Sequence, residues 1–317
     1  MTRTLHLPAL DGRDPLGFLT ALGVLRLLTD SARLNPRLSF DETTATATLH
    51  SELDTIDEVV NQLASAVASI PDDGVIPDTP AAFPKGKDGR GKDPARPPRG
   101  QYRAVTSALG DGDRRSPSHR WASVLTTDLA VDSDGRVGLT PYNAPVGQQS
   151  LRGMFTKPLD HVRTDPHRHL REALSGWRRV DGYTGESLDH RALRSAADHP
   201  TGLSTPAGVP GATWLAIMAL PLLRLTGTGT TVQATCWHHL AGTKQAIMAW
   251  PLWCLPLDTH AIAALLEHPD LRPISNSTQA AAPRGAWPAL GVFTMAAATR
   301  IPTPKSAGTL TPAPLNT

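Results

Sequence analysis

One stretch restricts this chain more than any other: Asp14-Pro15-Leu16-Gly17-Phe18-Leu19-Thr20-Ala21-Leu22-Gly23-Val24-Leu25-Arg26-Leu27-Leu28. Asp14 carries the side chain of an N-cap, and Pro15 suits the first helical position, where a missing N–H costs nothing. Leu16, Leu19, Leu22 and Leu27 follow helical spacing, while Phe18, Val24, Leu25 and Leu28 spread apolar surface round the rest of the circumference. A helix that is apolar on every side must be enclosed by other elements. Gly17 and Gly23 lower its intrinsic propensity. Small residues at those positions imply that another backbone packs close.

Neighbouring patterns supply the enclosing layers. Residues 4–7 read as a short strand. Residues 37–40 and the β-branched run 44–50 read as a hairpin around the polar turn Asp41-Glu42. Residues 54–69 form an amphipathic helix, with Ile56, Val59, Val60, Leu63, Val67 and Ile70 turned inward. This β-α-β-β-α order suits a small antiparallel sheet with helices on one face. Further helices are expected over 116–131, from Gln148, from Asp165 to Leu174, over 214–225 and from Asp258 to His268. Further strands are expected at 136–140, 232–238, 244–253 and 290–299. The expected fold class is α+β: antiparallel sheets with packed helices and a long disordered basic loop. The expected divisions are an N-terminal region (1–80), a flexible basic loop (81–112), a helix-rich α+β core (113–300) and a loose Pro/Thr-rich tail (301–317). The core either continues the first domain or forms a second.

Net charge is only +2, but it is unevenly distributed. Residues 1–80 hold five Lys/Arg against twelve Asp/Glu, and residues 81–180 hold eighteen against ten. Such asymmetry marks either a polyanion-facing surface or a solvated loop in an internally neutral protein. Lys85, Lys87, Arg90, Lys92, Arg96, Arg99 and Arg103 alternate with glycines and prolines. Arg114, Arg115, Arg120, Arg152 and Lys157 extend the basic region. A loop of this composition can follow a phosphate backbone and order on contact, with counterion release favouring binding. It carries no base-reading code, so recognition would be directed at the backbone. Tyr102, Trp121 and Trp177 lie among these cations, where they either stack on bases or fill the core.

Catalytic motifs are not evident. No phosphate-binding Gly-x-x-x-x-Gly-Lys-Ser/Thr, nucleophile elbow or His-Glu-x-x-His occurs, and Gly110-Asp111-Gly112 lacks the strand and helix of a dinucleotide site. A metal-dependent nuclease or hydrolase could draw on His167, His169, His238, His239 and nearby aspartates. However, Asp160-His161, Asp189-His190 and Asp198-His199 run opposite to the His-Asp doublet of metal phosphohydrolases. Adjacent helical residues also point apart. Cys236 and Cys254 are the only cysteines, too few for a disulfide framework or a four-cysteine zinc site. They suit a reducing cytoplasm and read as buried, inert thiols. No signal core or membrane-spanning run is read, and no cofactor is expected.

Three segments carry a family resemblance. The opening, Leu7-Pro8-Ala9-Leu10 with Asp14-Pro15-Leu16 and Ala21-Leu22-Gly23-Val24-Leu25-Arg26-Leu27, resembles the start of large-subunit-type proteins of type I-G (formerly I-U) CRISPR systems. Gly147-Gln148-Gln149-Ser150-Leu151-Arg152-Gly153-Met154-Phe155 resembles their Gln-rich helix start. Trp214-Leu215-Ala216 with Trp250-Pro251-Leu252-Trp253 resembles the helix-then-strand core near their C-termini. The chain is shorter than those large subunits, and it is also similar to the family described as an extension of that system's helicase-nuclease. The resemblance implies a non-catalytic role in antiviral defence, within a crRNA-guided effector complex. Its implied partners are crRNA or target DNA and other Cas subunits. In such assemblies base pairing reads sequence while protein holds backbones and neighbours. An uncharacterised structural scaffold is the remaining alternative.

Overall fold

The opening residues build the expected order, with a longer first strand. In the computed structural model, β1 (Arg3–Asp11), α1 (Pro15–Ser31), β2 (Arg37–Phe40), β3 (Thr46–Ser51) and α2 (Ile56–Ala68) succeed one another. The structure describes residues 2–31, 34–86, 95–109, 116–144, 150–192, 205–239, 246–276, 279–282, 284–303 and 306–315. β1 and β2 flank β3 in an antiparallel sheet. Asp14 caps α1 as anticipated, its Oδ1 accepting from the Leu16 and Gly17 amides at 2.9 and 3.3 Å. Thr55 and Glu58 form a capping box at the start of α2, which satisfies two amides that have no partner within the helix.

The chain continues through α3 (Arg99–Ser107), α4 (Pro117–Leu125), β4 (Thr126–Val131), β5 (Val137–Leu139), α5 (Leu151–Thr164) and α6 (Pro166–Ser175). β6 (Val180–Asp181), β7 (Ala207–Gly208), α7 (Pro210–Met218), β8 (Leu225–Thr228) and β9 (Thr231–Ala234) come next. The chain then forms β10 (Trp237–His239), β11 (Ala246–Trp253), α8 (Thr259–Leu266), β12 (Ile274–Asn276), β13 (Gln279–Ala281), β14 (Val292–Thr303) and β15 (Ser306–Pro312). The protein is an α+β fold of several small antiparallel sheets with packed helices. The largest described sheet has the order β10-β11-β14-β15.

The close backbone implied by Gly23 is α7: a Cβ on Gly23 would collide with the Leu215 carbonyl. The Thr20 hydroxyl spans the same crossing, 2.6 Å from the Leu16 carbonyl oxygen and 3.0 Å from that of Ala212. Aromatic rings then join α1 and the first sheet to β11. Phe18 stacks on Trp250 at 5.2 Å between centroids, and Phe40 meets Trp253 edge-on at 5.1 Å. Both indoles donate at 2.8 Å, Trp250 to the Gly12 carbonyl and Trp253 to that of Leu38. These polar handles let large rings be buried without an unsatisfied N–H. Among the described residues, no helix is long and apolar enough to cross a membrane.

Four expectations need correction. The stretch expected to be disordered over 81–112 contains α3, because Tyr102, Val105, Thr106 and Leu109 recur at helical spacing behind a Pro98 N-cap. The helix expected over 116–131 stops at Leu125, where β-branched Thr126 and Thr127 begin a strand paired with β5. The helix expected over 214–225 starts earlier, at Pro210, and ends at Met218, before Pro221. The tail expected to be loose carries β15, anchored by buried Leu310 and antiparallel pairing to β14.

Candidate nucleic-acid interface

Several of the anticipated contact residues hold the fold together. The Arg96 Nη2 lies 2.8 Å from Asp132 and 3.2 Å from the Val137 carbonyl oxygen. Arg152, on α5, donates to the carbonyls of Ala81 (3.0 Å), Pro84 (3.1 Å), Phe83 (3.5 Å) and Asp73. Three helical turns further on, Arg163 does the same for the carbonyls of Ile70, Pro71, Asp72 and Gly74. α5 thus staples the irregular 70–84 backbone through its carbonyls. Arg120 binds Asp30 at 3.2 Å, and buried Arg26 reaches the same carboxylate at 2.7 Å. Burial lowers the Arg26 guanidinium to about 10. Lys157 lies 3.5 Å from Glu186, and Arg168 and Arg178 share Glu172.

The other cations of this region that can be described gather around α3. Lys85 and Arg99 are exposed, and the Arg103 side chain is 91% exposed, 3.8 Å from Asp128. No residue of α3 is buried. Beneath it lies a cleft of about 430 Å³, walled by Phe83, Pro84, Pro97, Tyr102, Val105, Leu109, Leu125 and Leu151. Lys87, Arg90, Lys92, Arg114 and Arg115 lie outside the described residues. So do Gln148 and Gln149, and α5 begins after them with Ser150 as its cap.

The aromatic side chains expected among the cations are structural. Trp121 is buried, edge-on to Phe155 at 5.5 Å, with Arg26 over its ring. The Tyr102 hydroxyl donates to the Thr126 carbonyl at 2.8 Å, and burial raises its pKa. The Trp177 indole donates to the Ala173 carbonyl.

The histidine clusters are divided between α6 and β10. His167 is exposed, while His169 is buried and its pKa is lowered by that burial. His238 is depressed to about 4, chiefly by burial, and exposed His239 contacts the Val232 carbonyl. Among the described residues, no three His, Cys, Asp or Glu converge to hold a metal. Asp198 and His199 lie outside them. Cys236 is buried, and burial raises its thiol pKa. The Cys254 thiol donates to the Gly291 carbonyl at 3.4 Å.

Sequence reasoning passed over a buried polar knot around residues 183–190, noting only the Asp189-His190 doublet. Gly185, Glu186 and Ser187 have φ of 69, 48 and 62°, three left-handed residues in succession. Such backbone costs about 1–3 kcal/mol per non-glycine residue and persists only where the surroundings over-determine it. Here the surroundings are charged. The Asp189 side chain is 1% exposed and pairs with Arg179 at 2.9 Å. His190 Nδ1 lies 3.7 Å from Asp14 Oδ2, linking the knot to the cap of α1. From β14, Arg300 donates to the carbonyls of Pro141, Tyr142, Ser187 and Gly308, and burial lowers it to about 10. The sequence signal was an aperiodic run of Gly, acid and imidazole, which no periodicity search detects.

No protein-family model matches the chain, and no curated protein matches it.

Proposed function

We propose that the chain is a non-catalytic component of a type I CRISPR-Cas antiviral defence system, contributing to a crRNA-guided effector complex through nucleic-acid backbone or subunit contacts. Its partners on this reading are crRNA or target DNA and other Cas subunits, met in the cytoplasm. The CRISPR assignment rests on the resemblance of the opening, Gly147–Phe155 and tryptophan segments. The binding role rests on one observation. Residues 85–115 hold nine Lys/Arg against four Asp/Glu; of the exposed, described members, Lys85 lines the cleft and Arg99 and Arg103 stand on α3. Exposed cations so placed meet the phosphates of a nucleic-acid backbone without reading bases, or the carboxylates of a neighbouring subunit.

The resembling α1, α7 and β11 segments pack on one another in the core. They therefore mark kinship, and the working surface lies at α3. Co-expression with the other subunits of such a system tests the assignment. Co-purification, together with salt-sensitive binding of labelled single-stranded RNA or DNA, is the expected result. Absence of both would overturn it.

A further inference from the structure

We propose that the cleft under α3 docks an acidic amphipathic segment of a partner subunit, whose apolar anchor fills the cleft while its carboxylates meet Lys85, Arg99 and Arg103. The inference rests on the reading of the chain as an assembly component, and it names which kind of partner this surface takes.

The cleft's size suits a buried anchor. Its volume of about 430 Å³ lies within the ordinary range of ligand cavities. Its walls are mainly aliphatic and prolyl carbon, and its hydroxyls are already engaged. Tyr102 donates to the Thr126 carbonyl, Thr106 to the Tyr102 carbonyl at 3.0 Å, and Thr126 to that of Ala122 at 3.4 Å. A nucleobase placed there would find few partners for the donors and acceptors along its edge, and leaving those unsatisfied is costly. An apolar side chain has no such requirement, so this cleft favours protein over nucleic acid.

Charge decides the character of the flanks. Arg99 and Arg103 stand four residues apart, neighbours on the surface of α3. Both are exposed, and Asp128 at 3.8 Å is the one carboxylate paired with Arg103 among the described residues. α3 half-buries Tyr102 and Thr106, while Val105 is 39% exposed. A docked segment would complete the burial this helix lacks, in the usual pattern of apolar centre and charged rim.

The test is selection of a random displayed-peptide library on the full chain, followed by anisotropy measurements with the synthesised winners and with a labelled single-stranded oligonucleotide. Winners should carry an apolar anchor flanked by Asp or Glu. Val105→Glu should weaken them about tenfold or more, and Arg103→Glu by about threefold to tenfold, with recovery when the facing acid in the peptide is changed to Lys. Val105 is partly exposed, so unchanged thermal melting should show that its variant folds; the Arg103 charge swap stands without it. Winners without acidic bias, or with equal affinity for both variants, would overturn the proposal. Loss of oligonucleotide binding in Val105→Glu, with no peptide selected, would assign the cleft to nucleic acid instead. Salt-sensitive oligonucleotide binding that survives Val105→Glu, alongside failed peptide selection, would sink this docking site and leave the broader function standing.

Discussion

Replacing Arg152 with alanine should destabilise the fold, although the sequence places this residue among surface cations. Its guanidinium donates to four backbone carbonyls in the 73–84 segment. Hydrogen bonds to a charged group are worth about 1.5–3 kcal/mol each in isolation. Four of them sharing one partly exposed guanidinium do not sum, since freed carbonyls near the surface regain water. A loss of about 2–3 kcal/mol is the expected net. Arg152→Lys should recover less than half of it, because an ammonium cannot reproduce the planar fork. For a chain of this size that loss corresponds to a melting-point fall of roughly 3–5 °C. Far-UV circular dichroism with thermal and urea unfolding measures it. Arg103→Ala is the paired control: its side chain is 91% exposed, so its effect should stay within about 0.5 kcal/mol. If Arg152→Ala melts like the wild type while losing nucleic-acid binding, the residue is a surface contact and the reasoning fails.

Three further outcomes follow from the packing. Gly23→Ala raises intrinsic helix propensity, yet its Cβ would collide with the Leu215 carbonyl; a loss of about 3 kcal/mol or more is expected in urea unfolding. Asp189→Asn leaves Arg179 without its carboxylate and should cost about 3 kcal/mol, whereas a near-neutral result would mean the knot carries little of the fold. Acid should weaken the protein through His238, whose pKa is depressed from 6.5 to about 4, mainly by burial. Between those values the unfolded chain binds the extra proton, so stability falls as pH drops from 6.5 to 4, by up to about 3 kcal/mol. The fall should shrink in His238→Gln when urea midpoints are compared at several pH values.

Much of the fold was legible because its signals are local and periodic. Asp14-Pro15 announces a helix start, and α2 shows its inner face in the spacing of Val59, Val60, Leu63 and Val67. Gly23 even foretold a backbone crossing, though nothing in the sequence said that α7 would make it. α3 was hidden because Gly and Pro dominate the composition around it, and four spaced residues carry less weight than that background. β15 was hidden by a Pro/Thr-rich tail whose strand character depends on pairing with β14. The site was less legible than the fold. Counting charges located the basic region, but only geometry separates Arg152 and Arg96, bonded to backbone and Asp132, from exposed Arg103. A guanidinium that binds phosphate and one that caps carbonyls look identical in sequence.

The most direct test of the account is the salt dependence of single-stranded nucleic-acid binding by the wild type and the Arg99→Ala/Arg103→Ala variant. Each phosphate neutralised on a single strand contributes about −0.7 to the slope of log affinity against log salt. The account predicts steep salt dependence in the wild type. In the double variant the slope should be shallower by about 1.4, with unchanged melting. Salt-independent binding, no binding, or a slope that ignores both substitutions would contradict it.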